Sequence, residues 1–372
     1  MAADPDARAG SRRRREAAVI SSATVETPPF ERAIQPSPRR RSVRDFVHAS
    51  GRQSLVLGAS KDPNAKITIL LVSPESRRPV LAVKAPTTDP AAAAVETEWR
   101  VLSHLQTLPA GKLLETIPRP VEILDFEGRQ AVVTTAVPGT SMTTSYFRPR
   151  HTRSSTRVAA DFAAAGEWLT SFRHATAGDP SELELDGGVI DRLRHRFGGD
   201  DRLEADLERL AEIHAQLRRE TVPRTAVHGD FWFGNLLVAG GRVTGVVDWE
   251  AGLASGEPTR DLARFALMYA LYLGGPARPN RPVPGHPGIR VGAWGAVIEY
   301  ALDGSGWFPE LFREFLGDGL ARLGASPTAW RGLALAAIAE TAAFTDNVEF
   351  ATCHLDLFRR IAHAQRAREE KQ

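Results

Sequence analysis

The chain has 372 residues, 42% of them hydrophobic and 25% charged, which is enough apolar material to bury a core with room for about two domains or lobes. The single cysteine, Cys353, excludes an internal disulfide and a cysteine-rich zinc site, as is typical of a reducing cytoplasm. No apolar run approaches the ~20 residues that span a bilayer, and the stretch after SRRRRE is too polar and too short for a secretory signal. We therefore expect a soluble, globular, cytoplasmic protein with no membrane partner.

The net charge of +2 is distributed unevenly along the chain. Residues 1–45 hold ten arginines against six acidic residues, whereas the remainder holds 37 basic and 39 acidic residues. This first segment is rich in Pro, Ser and Arg, a composition that predicts a disordered tail. A contact with nucleic acid or a membrane surface is the alternative interpretation, but no aromatic residue interleaves the arginines, and we favour a solvated extension.

Five short runs rich in Val, Ile, Leu and Thr follow the tail, and each is bounded by Pro, Gly, Asp or Asn. They predict β-strands at 54–60, 65–73, 78–86, 120–127 and 129–137. One helix is inserted at 89–106, where Asp89 can cap the helix and Pro90 suits its first position.

From about residue 156 the hydrophobic spacing becomes helical, as at 157–175, 201–220, 259–273 and 327–365. A small sheet lobe therefore precedes a larger helical lobe, and Pro138 and Gly139 mark the join. The predicted boundaries are a tail at 1–45, a first lobe at 46–137 and a second lobe at 138–372.

Within the helical part, LLVAGGRVTGVVDWE at 236–250 is the exception, because two short apolar runs flank a Gly-Gly pair at 240–241. This pattern predicts a β-hairpin with a two-residue turn. If the glycines are the central turn residues, Ala239 pairs with Arg242 and the register of the hairpin follows.

The predicted register places Asn235 opposite Val246. Because side chains alternate along a strand, Asp248 shares the face of Val246, and Asn235 and Asp248 become diagonal neighbours roughly 7–8 Å apart. Their oxygens are hard donors, and together with water and phosphate oxygens they suit Mg²⁺ better than a softer metal. Asp230 lies upstream on the loop, where it can face the same site.

The segment HGDFWFGNLL at 228–237, followed by DWE at 248–250, resembles the catalytic and metal-binding segments of the protein-kinase-like fold. HGD in place of HRD, and DWE in place of DFG, is similar to the aminoglycoside phosphotransferase and choline kinase branch, the small-molecule kinases. The resemblance implies an α+β, bilobal fold with a small antiparallel β-sheet N-lobe that contains one helix and a larger, mainly helical C-lobe. It also implies an enzyme that moves the γ-phosphate of ATP, or of GTP, to a hydroxyl of a small molecule.

By the same resemblance, Asp230 would be the catalytic base that receives the hydroxyl proton, and Asn235 and Asp248 would hold Mg²⁺ on the nucleotide phosphates. His228 would brace the loop, and Asp261 would cap the next helix and brace the loop without a catalytic duty. The alternative interpretation is an ordinary polar loop before a hairpin, with Asp230 as a local cap.

Lys84 provides a separate indication, because the chain has only five lysines against 42 arginines. A lysine in the apolar strand PVLAVKAP needs a partner, since a buried ammonium is costly when it is unpaired. Glu98 falls on the apolar stripe of the inserted helix, so we expect a Lys84–Glu98 ion pair, with Glu96 as the second choice. A solvated lysine on an edge strand and a surface position for Glu98 are the alternatives.

The resemblance further implies that the N-lobe binds the nucleotide, with backbone groups near Ala136 and Val137 against the purine. The phosphate-covering loop should fall within VLGASKDPNAK at 56–66, which holds a single glycine. Gly58, Ala59 and Ser60 are the candidate phosphate contacts.

The acceptor is the least specified part, and an aminoglycoside, a sugar, an amino alcohol and a specialised metabolite all remain open. A cationic acceptor should meet carboxylates and aromatic rings, and the alternative for these side chains is a set of solvated helix faces. The candidates are Trp249, Glu250, Glu257, Glu340, Asp346, Glu349 and Asp356. The Arg-rich segment at 148–157 would instead suit an anionic acceptor.

Two other functions stay open from the sequence. The glycine-poor loop is compatible with a nucleotide-binding pseudokinase or scaffold. The Arg-rich tail is compatible with a nucleic-acid-associated protein, although we do not expect a nucleic-acid partner.

Overall fold

The computed structural model describes residues 40–57, 65–185, 187–274, 282–290 and 292–369, without the side chains of residues 288, 290 and 365–369. Most of the predicted Arg-rich tail and the predicted phosphate contacts Gly58, Ala59 and Ser60 lie outside these residues.

A helix stands where the tail was predicted to end. This helix, α1, spans Val43–Ala49, and the hydroxyl of Ser42 caps it by accepting a hydrogen bond from the Asp45 N–H at 3.1 Å. Val43 and Phe46 are buried in the small core of the sheet lobe. The predicted tail boundary at residue 45 is therefore wrong, because these two apolar side chains hold the segment against the sheet.

The elements are numbered in chain order through the described residues. The further helices are α2 (Asp89–Leu105), α3 (Met142–Tyr146), α4 (Ser155–Thr176), α5 (Val189–Phe197), α6 (Leu203–Leu217), α7 (Thr259–Leu271), α8 (Ala296–Asp303), α9 (Trp307–Ala321), α10 (Trp330–Phe344) and α11 (Val348–Glu369). The strands are β1 (Gln53–Leu57), β2 (Lys66–Val72), β3 (Pro79–Pro86), β4 (Pro120–Phe126), β5 (Arg129–Thr135), β6 (Thr140–Ser141), β7 (Pro180–Glu182), β8 (Thr221–Pro223), β9 (Thr225–Val227), β10 (Leu236–Ala239), β11 (Arg242–Val246), β12 (Leu253–Gly256), β13 (Pro282–Val283) and β14 (His286–Arg290). Three 3₁₀ helices lie at Gly111–Thr116, Tyr272–Gly274 and Pro327–Ala329.

The sheet lobe is a five-stranded antiparallel sheet with the strand order β1-β2-β3-β5-β4, and α2 packs against β3 and β5. The five strands and the inserted helix agree with the sequence prediction to within a few residues. The helix cap differs, because the hydroxyl of Thr88 accepts from the Ala91 N–H at 3.3 Å and Asp89 is already helical. Asp89 is therefore not the cap, and it contributes a negative charge to the first turn instead.

The hairpin of β10 and β11 follows Asn235 and leads to Asp248. Ala239 pairs with Arg242 as predicted, and both glycines of the turn have positive φ, +58° and +75°, as a tight hairpin turn requires. A bulge between Leu237 and Val238 then shifts the register by one residue, so that Leu236, and not Asn235, pairs with Val246. The predicted pairing of Asn235 is wrong, because the two-residue turn alone does not reveal a bulge farther along the strand.

The helical lobe buries one large apolar core contributed mainly by α4, α6, α7, α9 and α10. The helical run predicted at 327–365 divides into α10 and α11 at residues 345–347. The side chain of Asn347 accepts a hydrogen bond from the Phe350 N–H at 2.8 Å, which caps the new helix and explains the break.

The mixed α+β architecture is confirmed, with an antiparallel sheet lobe followed by a mainly helical lobe. Among the described residues, no helix is both long and apolar enough to cross a bilayer.

Candidate active site

The loop between β9 and β10 is held by a buried carboxylate from α7. The carboxylate of Asp261 accepts hydrogen bonds from the backbone N–H groups of His228 (2.7 Å) and Gly229 (2.9 Å). Burial raises the pKa of Asp261, and the His228 ring and the two N–H groups oppose that rise. The bracing role predicted for Asp261 agrees with these contacts. The predicted cap is wrong, because α7 begins at Thr259 and Asp261 already lies within its first turn.

His228 holds the same loop from the other side and is fully buried. Its Nδ1 accepts from the Asp230 N–H at 3.2 Å, and its Nε2 donates to the Val247 carbonyl at 2.9 Å, so the network assigns the proton to Nε2. Its ring packs edge-on against Trp249, with the centroids 4.6 Å apart. His228 therefore ties the loop to the strand that leads to Asp248, as a brace would.

Gly229 lies close to Ala251, the residue that follows the DWE segment. Its φ is +82°, and a Cβ at this position would lie 2.1 Å from the carbonyl oxygen of Ala251. Both the backbone conformation and the lack of space require glycine here.

We expect Gly229→Ala to lower the free energy of unfolding by ~1–3 kcal/mol more than Gly240→Ala does, because only the first adds a backbone clash. Gly240 is the matched control, since it has a φ of +58° and nothing within 4 Å of its Cβ position. Denaturant titration of both variants measures the difference. Equal losses would show that the contact with Ala251 imposes no constraint.

Asp230 and Asn235 are brought together by the loop. The Asn235 amide nitrogen donates to the backbone carbonyl of Asp230 at 2.9 Å and to its Oδ2 at 3.1 Å. With the nitrogen so engaged, the amide oxygen of Asn235 is left as an acceptor. The backbone carbonyl of Asn235 also accepts from the Val247 N–H at 3.0 Å, which places Asn235 beside the residue that precedes Asp248.

Arg264, which the sequence analysis did not identify, contacts the predicted base directly. Its Nη2 and Nε lie 2.8 and 3.0 Å from Asp230 Oδ1. The side chain of Asp230 stays 31% exposed, so its carboxylate is held without being covered. Arg264 follows Asp261 by three residues on α7, so the two side chains lie on the same face of the helix. Because Asp261 was predicted to brace the loop, this spacing could have indicated that Arg264 also faces the loop.

Lys84 and Glu98 form the predicted ion pair. Lys84 Nζ lies 2.7 Å from both carboxylate oxygens of Glu98, which is 2% exposed, whereas Glu96 is exposed. Lys84 pairs with Thr68 on β2 and with Val132 on β5, so it lies on an interior strand. These observations exclude the edge-strand alternative for Lys84 and the surface alternative for Glu98.

Lys84 also joins the sheet lobe to the DWE segment, since its Nζ lies 2.7 Å from Asp248 Oδ1. Burial alone would lower the pKa of Lys84, but the carboxylates of Asp248 and Glu98 outweigh it and raise this pKa. Burial would likewise raise the pKa of Asp248, but the neighbouring lysines hold it well below its usual range. Lys84 and Asp248 therefore form a charged pair at neutral pH.

Lys66 is a second lysine on this cluster and was not identified from the sequence. Its Nζ lies 3.0 Å from Asp248 Oδ1 and also forms an ion pair with Glu250. Lys66 shares a sheet face with Thr68, the strand partner of Lys84, so both lysines project from the same side. The scarcity of lysine that drew attention to Lys84 applies equally to Lys66.

The backbone at Asp248 adopts φ = +70°, a conformation that few residues other than glycine populate. Aspartate tolerates this region better than most residues, and strain of this kind concentrates at functional sites. The carboxylate of this residue contacts both lysines.

The donor set fits Mg²⁺. Asn235 supplies an amide oxygen, and both ion pairs of Asp248 end on Oδ1. The described residues include no group of three or more His, Cys, Asp or Glu side chains that could hold a metal. A cation held by Asn235 and Asp248 would therefore need oxygens from a substrate and from water, as Mg²⁺ in phosphate sites usually does.

A model of the phosphotransferase enzyme family, abbreviated APH, matches residues 68–288, which is more than half of the chain. The chain belongs to this family. The prediction of a small-molecule kinase is thus confirmed at the level of the family. No curated protein sequence matches the chain.

Solved structures resemble this phosphotransferase over most of its length. Aminoglycoside phosphotransferase APH(4)-Ia, as a thermostable mutant in a ternary complex with AMP-PNP and hygromycin B, superposes with a TM-score of 0.51 at 15% identity and covers 87% of this chain and 98% of its own. The apo form of a thermostable mutant of that enzyme gives a TM-score of 0.50 at 16% identity, with the same coverage. Macrolide 2'-phosphotransferase MphH from Brachybacterium faecium gives 0.46 at 15% identity and covers 86% of this chain and 96% of its own. At sequence identities this low, the similarity to APH(4)-Ia shows a shared fold. The predicted kinase-like architecture is therefore confirmed.

The segment between the lobes of the phosphotransferase contains the predicted purine contacts. The N–H of Ala136 donates to the Val80 carbonyl at 3.0 Å, so its amide is engaged within the sheet. The side chain of Val137 lies against β11, where a Cβ on Gly245 would come within 2.6 Å of it. The groups of this segment that remain as candidate purine contacts are therefore the carbonyl of Ala136 and the backbone of Val137.

A cavity of about 800 Å³ opens beneath the phosphotransferase's loop and extends between its helices. Asp230, Asp248 and Lys66 line one end of it. Of the predicted acceptor contacts, Glu250, Glu340 and Asp346 line it as well.

The other predicted acceptor contacts lie elsewhere. Trp249 is fully buried in the core, and Glu257 is buried near Thr259, where burial raises the pKa of Glu257 to about 7. Asp356 pairs with Arg359 at 3.2 Å, and neither it nor Glu349 lines the cavity. Residues 148–157 do not line the cavity either.

Proposed function

We propose that this phosphotransferase moves the γ-phosphate of ATP, or of GTP, to a hydroxyl of a small molecule bound in the 800 Å³ cavity. The observation that carries the proposal is that Asp230 and Asp248 line one cavity. Asp248 is at the same time 2.7 Å from a lysine that Glu98 orients. Phosphoryl transfer asks a protein mainly to position groups and offset charge, and this arrangement supplies both.

On the nucleotide side, Asn235 and Asp248 would hold Mg²⁺. Bound Mg²⁺ would offset the negative charge of the phosphate oxygens. Lys84 would contact the same phosphates, and Glu98 keeps its ammonium in place. The backbone between the lobes, at Ala136 and Val137, would meet the purine.

On the acceptor side, Asp230 would receive the proton of the attacking hydroxyl. Arg264 occupies Oδ1, and Asn235 donates one hydrogen bond to Oδ2. Oδ2 retains a lone pair, so the proton would pass to this oxygen while the hydroxyl oxygen attacks the γ-phosphorus. The bond between the γ-phosphorus and the β–γ bridging oxygen would break, and the nucleoside diphosphate would leave with that electron pair. His228 and Asp261 hold the loop that carries Asp230 and contact no reacting group.

A panel of hydroxylated small molecules incubated with Mg²⁺ and ATP or GTP tests this proposal. We expect nucleotide consumption together with a phosphorylated product for at least one acceptor, and neither with the Asp230→Asn variant. Nucleotide binding without transfer to any acceptor would instead support the nucleotide-binding scaffold. Failure to bind nucleotide would overturn the proposal.

Lys66 gives a further prediction for the nucleotide end. Its ammonium is 3.0 Å from Asp248 Oδ1, so it lies within reach of the phosphates that Asp248 would approach through a metal. We expect Lys66→Met to weaken nucleotide binding by ~10- to 100-fold, the usual effect of losing one charge-assisted hydrogen bond.

Titration of AMP-PNP with Mg²⁺ into each variant measures this change. Lys112→Met is the matched control, because Lys112 is exposed in the 3₁₀ helix Gly111–Thr116 and does not line the cavity. A dissociation constant that stays the same in Lys66→Met would show that Lys66 serves only to stabilise the cluster.

A further inference from the structure

The far end of the cavity differs in chemistry from the end that holds Asp230. Four helices, α7, α8, α10 and α11, converge there and present mainly apolar side chains. Those that form the wall include Leu267, Met268, Leu271, Ile298, Ile338 and Phe350.

Two of the three carboxylates that line the cavity from Asp230 towards this far end are paired with arginines of the protein itself. Asp230 pairs with Arg264 at 2.8 Å, and Glu340 forms an ion pair with Arg260. The third carboxylate, Asp346, is exposed. Asp248 and Glu250 also line the cavity, and both pair with Lys66. Apart from these three residues, the described residues that line the cavity include two arginines and three carboxylates, a net charge of −1.

The one histidine of the wall adds no charge. Burial is the main cause that lowers the pKa of His354 to about 4, and the cation of Arg264 acts in the same direction. Its Nδ1 donates to the Phe350 carbonyl at 2.8 Å, and its ring lies 4.3 Å from that of Phe350. At neutral pH it is a flat, uncharged part of the wall.

We infer that the acceptor is a hydroxylated molecule with a broad apolar surface and at most one positive charge, not a polycation. This rests on the proposed function, because the hydroxyl must reach Asp230. A polycation would have to shed its hydration against apolar walls and would meet carboxylates that already have cationic partners. An apolar body gains from burial in the same space. The cavity volume lies in the range that holds a drug-sized molecule.

Binding of Nile red, a neutral apolar dye with environment-sensitive emission, tests the wall without requiring turnover. We expect it to bind the wild-type chain, and Phe350→Glu to weaken this binding by about tenfold or more, since a carboxylate replaces an apolar wall. Val348→Glu is the matched control, because Val348 is 66% exposed on the same helix and does not line the cavity. Leu271→Glu, on α7, replaces Phe350→Glu if the latter does not fold.

Competition then separates the two acceptor classes. Octyl glucoside, a hydroxylated amphiphile, should displace the dye, and neomycin, a polycation, should not. Asp230→Asn should bind the dye as the wild type does, so loss of phosphate transfer and loss of wall binding remain distinguishable. Equal dye binding by Phe350→Glu and Val348→Glu, absence of dye binding, or displacement by neomycin would each overturn the inference.

Discussion

Replacing Asp230 with asparagine should lower kcat by ~10²- to 10⁴-fold and leave nucleotide binding intact. An amide of the same shape keeps the contact with Asn235 but has no basic oxygen to accept the hydroxyl proton. Asp230 does not belong to the Lys84–Glu98–Asp248 cluster, so the phosphate end of the site should keep its charges. Steady-state turnover and AMP-PNP titration of the same protein measure the two quantities.

Asp303→Asn is the matched control for this variant. Asp303 is 29% exposed and pairs with Arg331 at 2.7 Å, much as Asp230 is 31% exposed and pairs with Arg264. It does not line the cavity. The control should turn over normally, and an Asp230→Asn variant with the same kcat would refute the role of Asp230 as base.

Lys84→Met should both impair the reaction with nucleotide, by raising KM and lowering kcat, and lower the free energy of unfolding. The ammonium is held between Glu98, which is 2% exposed, and Asp248, so its loss leaves a buried carboxylate without its cation. Breaking a buried pair in this way typically costs ~3–5 kcal/mol, and Lys66 offsets part of the loss at Asp248. The nucleotide KM should rise and kcat should fall, because the phosphates lose a positioned charge.

A second substitution separates the two effects. In the double variant Lys84→Met/Glu98→Gln, the buried carboxylate becomes a neutral amide, so much of the lost unfolding free energy should return while nucleotide use should stay impaired. Denaturant titration and steady-state kinetics on both variants give the comparison, and Glu96→Gln, at an exposed position on the same helix, is the control. Recovery of activity in the double variant would show that Lys84 is a structural residue.

Local sequence patterns were sufficient to predict those residues of the site whose positions follow from the periodicity of a strand or a helix. Lys84 stood out because lysine is rare in this chain, and Glu98 fell on the apolar stripe of α2, so their contact followed from strand and helix periodicity. The loop from His228 to Asn235 was identified by its resemblance to the family whose model the chain matches.

The remaining contacts depend on tertiary structure. The hairpin bulge gives β11 one extra residue, Thr244, whose hydroxyl donates to the Pro138 carbonyl at 2.8 Å, a partner 106 residues away. Lys66 reaches Glu250 across 184 residues of sequence. Neither contact leaves a periodic pattern along the chain, and each becomes visible only when the two lobes are in place.

The acceptor end shows why residue type alone was insufficient there. Trp249 was a candidate aromatic contact, yet it is fully buried, and its indole N–H donates to the Val246 carbonyl at 2.9 Å. Glu340 was a candidate for a cationic acceptor, yet Arg260 pairs with it. Whether a carboxylate attracts a ligand depends on its partners, and the partners here come from other helices.

A crystal structure of the chain with AMP-PNP and Mg²⁺ tests the central claim most directly. It should show the metal bound by Asn235 and Asp248 at ~2.0–2.1 Å, Lys84 on the phosphates, and Asp230 facing the γ-phosphate from the acceptor side. A nucleotide seated outside this cavity, or a metal held by other residues, would contradict the account.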